Sequence, residues 1–159
     1  MPIKAIVLGM LSGLIAHQVL AGDAVVTGYN SEGVWTGVTY NRSSTPKGGL
    51  HYRDAAEAGI LAELDLHLRG RVNPVRTQIL DQSDRTGYVT VARGKSPRAN
   101  SGVTVIGRGK SQAEADQSAI QKLKHVGDTE NERILYRYFS YGADSAESLQ
   151  SKRHAGPAG

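Results

Sequence analysis

Two short stretches, "DAAEA" at Asp54–Ala58 and "SQAEA" at Ser111–Ala115, constrain this chain more than anything else in it. Each begins with a short oxygen-bearing side chain that can accept from the free backbone N–H groups of a helix's first turn. Each then places a Glu three residues on, where it can reach back to the cap. Beyond the two caps the spacing is also shared, since Ala62 and Leu66 fall where Ala119 and Leu123 fall. Two helices that begin and continue alike predict two related units.

The flanking residues predict the rest of each unit. In the first half, strand candidates run over Ala24–Tyr29 and Val34–Tyr40, with a tight turn at Asn30–Gly33 between them. A loop, the helix over 54–69 and a strand around Val75–Leu80 follow. The second half repeats the order, with strands over Tyr88–Arg93 and Gly102–Ile106, a helix over 111–125 and a strand over Glu132–Tyr141. The expected fold is α+β: two related strand-strand-helix-strand halves, about 24–82 and 87–142, forming a mainly antiparallel sheet with both helices on one side. The strands form either one sheet or two small packed ones.

The two helices differ in what they must bury. The second has one apolar face, of Ala115, Ala119, Leu123 and Val126, and should lie flat on a sheet. The first carries Leu61, Leu64 and Leu68 on one stripe and Leu66 almost opposite, so it needs a second cover. The long loop Asn41–Arg53 is the expected cover, and a second protomer is the alternative. In the last strand Leu135, Arg137, Phe139 and Tyr141 alternate with Ile134, Tyr136 and Tyr138, so both faces have something to bury or bind.

Ahead of the first strand, Lys4 is followed by the apolar run Ala5–Ala16 and then by Val19-Leu20-Ala21. That run is shorter than the ~20 residues that cross a bilayer, and Val19 and Ala21 fit the small-residue positions before a cleavage site. Residues 1–21 are expected to be a secretory signal peptide, leaving 22–142 as a single exported domain, periplasmic or secreted, with no span after cleavage. Residues 143–159 are poor in large apolar side chains and are expected to form a tail. The chain has no cysteine, which excludes disulfides and thiolate metal sites.

The stretch around the second cap also resembles known proteins. With "RDAAEAGILAEL" and "GRGKSQAEADQSAIQKL", and Ser111, Glu114, Ala115, Ala119 and Ile120 as motif residues, it is similar to small exported bacterial domains of a family of unknown function. In these a strand pair precedes a helix that opens Ser-x-x-Glu-Ala and continues Ala-Leu or Ala-Ile. Members usually carry cysteines around these helices; this chain has none. The resemblance implies export and fold more than any activity.

The Gly-Lys-Ser of "VTVIGRGKS" is not a phosphate loop. A Walker loop needs a glycine five positions before the Gly of Gly-Lys-Ser, and that position is Thr104, inside a strand. What remains is a weak, unspecific anion site of Arg108, Lys110 and Ser111 at a helix N-terminus. No Gly-x-Ser-x-Gly elbow occurs, and His51, His67, His125 and His154 are dispersed without metal-ligand spacing, so no catalytic residue, metal or cofactor is expected. Asp81, Asp84, Asp128, Glu130 and Glu132 lie near strand ends, where a carboxylate pair for glycoside chemistry could meet in space. Trp35 with Tyr136 and Tyr138, supported by Tyr29 and Tyr40, is the candidate ligand surface. The excess of 19 Lys and Arg over 15 Asp and Glu is mild and scattered, which suits anionic envelope polymers and not a nucleic-acid platform. The expectation is a non-catalytic binding or structural module of the cell envelope or extracellular space, its partner an envelope polymer or another protein. A small secreted cell-wall hydrolase and a secreted enzyme inhibitor are the alternatives.

Overall fold

A computed structural model describes residues 22–69, 74–95, 102–126 and 130–145. The expected signal peptide and most of the expected tail lie outside them. The elements are β1 (Asp23–Tyr29), β2 (Trp35–Arg42), α1 (Ala55–Arg69), β3 (Arg76–Ser83), β4 (Gly87–Lys95), β5 (Val103–Gly109), α2 (Gln112–Val126) and β6 (Glu130–Ser140). The class is α+β, and each half has the expected strand-strand-helix-strand order. The strands form two antiparallel sheets of three, ordered β2-β1-β3 and β5-β4-β6, so each half's first strand is central.

The halves share one irregularity. In each, the third strand carries one extra residue opposite the middle of the central strand. Val25 and Val26 pair with Asp81 and Ile79, leaving Leu80 over, and Val91 and Ala92 pair with Tyr136 and Ile134, leaving Leu135 over. A bulge of this kind switches which face the following side chains take. That is why β6 departs from simple alternation: Ile134 packs with α2, whereas Leu135 and Tyr138 both join the opposite layer.

That layer lies between the sheets. Val25 and Val38 of the first sheet pack with Val89, Val91, Ile106 and Tyr138 of the second, and Trp35, Tyr40, Leu80 and Leu135 close around them. The other face of each sheet receives its own helix. Ala58 and Ala62 of α1 and Ala115, Ala119 and Leu123 of α2 are all fully buried. Both helices are expected on one side of the strands; instead each covers the outer side of its own sheet. Across the molecule the two helices stand on opposite flanks, because the apolar face each sheet has left over is used on the other sheet. Val126, expected on the buried face of α2, is exposed at its end.

The turns follow from their residues. The Asn30 carboxamide oxygen accepts from the N–H groups of Glu32 and Val34, and Gly33 supplies a φ of 76° that a side chain would resist. The loop after β2 behaves differently from expectation. Buried Ser43 joins its two ends, accepting from Arg53 N at 2.8 Å and donating to Arg53 O at 2.7 Å. Within it, Gly49 N donates to Pro46 O and Ser44 N to His51 O. A loop closed on itself in this way cannot reach across α1. Leu50 at its tip is 98% exposed, and Leu64 and Leu68 stay 50% and 76% exposed. The loop is not the second cover of α1. At the other end, Ala143–Ser145, assigned to the tail, pack: Ala143 N donates to Asp84 O, Ser145 Oγ accepts from Lys47 N, and Ser145 is buried.

Candidate functional site

The glycines of "GRGKS" have a packing role. A Cβ on Gly107 would lie 2.1 Å from Ala115 O and 2.4 Å from Ala119 N, and one on Gly109 would lie 2.5 Å from Glu114 Cβ. The first two turns of α2 rest directly on β5 where these glycines stand. Ser111 then caps the helix by accepting from Glu114 N at 3.2 Å, while Glu114 Oε2 accepts from Lys110 N at 2.7 Å. The capping box is present, with the Glu reaching the N–H one residue before the cap. Its carboxylate stands where an anion would bind. Ser111→Ala is expected to lower stability by about 1 kcal/mol and Lys110→Ala to change it little, measured by urea unfolding. The first helix is capped by Asp54, which accepts from Glu57 N at 2.6 Å, but Glu57 turns to Arg53 instead of the backbone.

Arg108, the third member of the expected anion site, is engaged elsewhere. Its guanidinium donates to both carboxylate oxygens of Asp23, at 3.0 and 2.9 Å, and its Nε to Asp81 at 2.8 Å. Asp23 has no exposed surface and also accepts from Tyr138 Oη at 2.6 Å. Desolvation alone would lower the Arg108 pKa, but the hydrogen bond and charge of Asp23, with Asp81, override it and raise it above its ordinary value. Burial, then the neighbouring Asp23 charge, pushes the Tyr138 hydroxyl well above the usual tyrosine range, so it stays a neutral donor. Two carboxylates do meet here, Asp81 with Asp23. A guanidinium bonded to both and the burial of Asp23 make them a structural cluster across the two sheets, not an acid–base pair for a substrate.

The other expected residues are distributed as follows. Trp35 packs beside the inter-sheet core with the Arg93 guanidinium 3.8 Å from its ring centroid, and Tyr138 is buried with its ring stacked 4.0 Å from that of Tyr40. Tyr138 therefore presents no open aromatic face, and Trp35 is partly buried. Tyr136 is at the surface, edge-on to Tyr40 at 5.3 Å, and its hydroxyl donates to Val38 O. His67 and His125 lie exposed on the helices. Asp128, His154 and the side chain of Glu130 lie outside the described residues. Among the described residues no three His, Cys, Asp or Glu gather as a metal site, and no helix is long and apolar enough to cross a membrane.

Tyr136 leads to a site that the sequence reading did not assemble. It stands at the rim of an open cleft of about 530 Å³ between α1, the end of β2 and the loop that follows. One wall is the apolar stripe of Leu61, Leu64 and Leu68, and the other carries Arg42, His51 and Arg53. Asp65 is the acidic lining residue and accepts from Thr39 Oγ1 at 2.8 Å. Arg42 donates to Phe139 O and Arg53 pairs with Glu57, so both guanidinium groups are held in place. Asn41 Oδ1 is buried at this edge without a hydrogen-bond partner among the described residues. The arrangement suits a ligand with an apolar part and a negative part. The signal in the sequence was the leucine stripe with no assigned cover.

Compared with family models, curated proteins and solved structures, the chain matches none.

Proposed function

We propose that the chain is an exported, non-catalytic binding module of the bacterial cell envelope, built from an internally duplicated unit, with the α1 cleft as its binding surface. The observation that carries this reading is the cleft's composition: an apolar wall faces Arg42, His51 and Arg53, and its acidic residue Asp65 is already hydrogen-bonded. A hydrolase of glycosides needs two carboxylates facing a substrate, whereas Asp81 and Asp23 are held by Arg108. Export is supported by the charged, apolar and small-residue order of Lys4–Ala21. Duplication is supported by the shared caps, the matching sheet orders and the paired bulges at Leu80 and Leu135.

Two measurements test the reading. Sequencing the N-terminus of protein recovered from its host's envelope or medium should give Gly22; an intact Met1 on a cytosolic protein overturns export. Incubation with purified cell-wall material should release no soluble sugar. Release that Asp81→Asn abolishes would move the chain to the hydrolases.

A further inference from the structure

Counted from their caps, the two helices put residues of equal exposure and opposite chemistry on their outer faces. Where α2 has Gln117, Gln121 and His125, all exposed and polar, α1 has Ile60, Leu64 and Leu68, exposed to 66%, 50% and 76%. The half-exposed pair at the next position is Ser118 in α2 and Leu61 in α1. The fold therefore does not require an apolar outer face on this kind of helix, since the second half is built the same way with a polar one. An α-helix apolar on both sides is normally covered on both. The loop that could have covered it is closed on itself, and its tip adds another fully exposed side chain, Leu50.

We infer that the outer face of α1, with the tip of the 44–52 loop, lies on an anionic lipid bilayer. This deepens the envelope reading above and rests on it. Charge chooses the occupant. Beside the stripe stand Arg42, His51 and Arg53 in the cleft and exposed Lys47 in the loop. Of the acids nearby, Glu57 is paired with Arg53, Glu63 is turned to Thr77 of β3 and Asp65 to Thr39 of β2, which leaves Lys47 and His51 at the loop tip as the charged or ionisable groups beside Leu50. An apolar stripe bordered by cations is what an interfacial helix presents to acyl chains and negative headgroups. A second copy would bring the same cations against the first. The area is also small for a dimer: a helix of 15 residues presents a face about 22 Å long and about 10 Å wide. That is well short of the roughly 800 Å² per partner of a stable interface. Burial in a bilayer has no such threshold, because its strength grows with each inserted side chain.

The test is sedimentation with vesicles of phosphatidylglycerol and phosphatidylcholine, mixed, against vesicles of phosphatidylcholine alone. The protein is the whole chain as its host processes it. The comparison variant is Ile60→Gln/Leu64→Gln/Leu68→His, which gives α1 the outer face that α2 already has, and whose fold is checked by circular dichroism. The expected result is binding to the anionic vesicles that weakens with salt. The variant should fold normally and bind about tenfold or more weakly, while Gln117→Ala/Gln121→Ala in α2 binds as the parent does. Equal binding by the triple variant overturns the inference, as does equal binding to both vesicle types. Absence of vesicle binding together with a dimer that the triple variant breaks overturns it in favour of a second copy. In either case the envelope reading stands or falls separately, on the N-terminal sequence and the cell-wall assay.

Discussion

Arg108→Leu is expected to cost about 3–5 kcal/mol of stability. The reason is what it leaves behind. Asp23 has no exposed surface, and two of its three side-chain partners are guanidinium nitrogens of Arg108. Without Arg108 a carboxylate is stranded between two sheets with one hydroxyl for company. Removing the charge at the same time should restore most of the loss. In Asp23→Asn/Arg108→Met an amide oxygen still accepts from Tyr138, and the methionine fills the space of the arginine stem. Urea unfolding followed by the fluorescence of Trp35 is the appropriate readout, because Trp35 of β2 lies against Arg93 of β4 and so reports on whether the sheets remain docked. A loss below about 1 kcal/mol, the range of an ordinary surface pair, would mean that the cluster does not hold the halves together.

Gly107→Ala is the second large effect. Its methyl group would meet backbone atoms of α2, Ala115 O and Ala119 N, and not the end of a flexible side chain that could swing away. The helix must lift from β5, loosening Ala119 and Leu123 from Ala92 and Val105. Overpacking of this kind costs about 1–3 kcal/mol, and contact with backbone places the expected loss at the upper end. Gly37→Ala is the control. Its Cβ would meet only Leu66 Cδ2 at 3.7 Å, ordinary contact, so its effect should be within about 1 kcal/mol of zero and of either sign. Equal and small losses at both positions would return the glycines of "GRGKS" to a role outside packing.

These two sites show what a one-dimensional reading can and cannot see. The elements were legible because their signals are local: a cap, a Glu three residues later, a tight turn at Asn30–Gly33 between two strand runs. The halves were legible because the signals repeat. The partner of Arg108 was not, since Asp23 lies far away in the chain and begins the first strand, where nothing marks it as buried. Arg108 beside Lys110 and a helix cap reads as an anion site; only the docking of the two sheets turns its guanidinium inward. Tyr138 was placed on a ligand surface for a similar reason. Alternation separated it correctly from Phe139 and Arg137, but a strand's two faces do not say which will meet another sheet. The bulge at Leu135 added a second shift that alternation could not anticipate. The cleft beside α1 was half legible. Leu61, Leu64 and Leu68 announced a missing cover, while Arg42 at the end of β2 and His51 and Arg53 joined them only through the fold of a loop whose length suggested that cover.

The two halves share one order of elements, and on the proposed reading they differ in use: α2 is a packed, capped structural helix, and α1 turns a second face outward to bind. Amide chemical shifts of the isotope-labelled chain, followed during titration with phosphatidylglycerol-containing nanodiscs, test this most directly. Changes are expected to gather in residues 42–69, strongest at Leu50, Ile60, Leu64 and Leu68, with the amides of Gln112–Val126 unmoved. Changes centred on Lys110, Ser111 and the start of α2, with α1 silent, would contradict it.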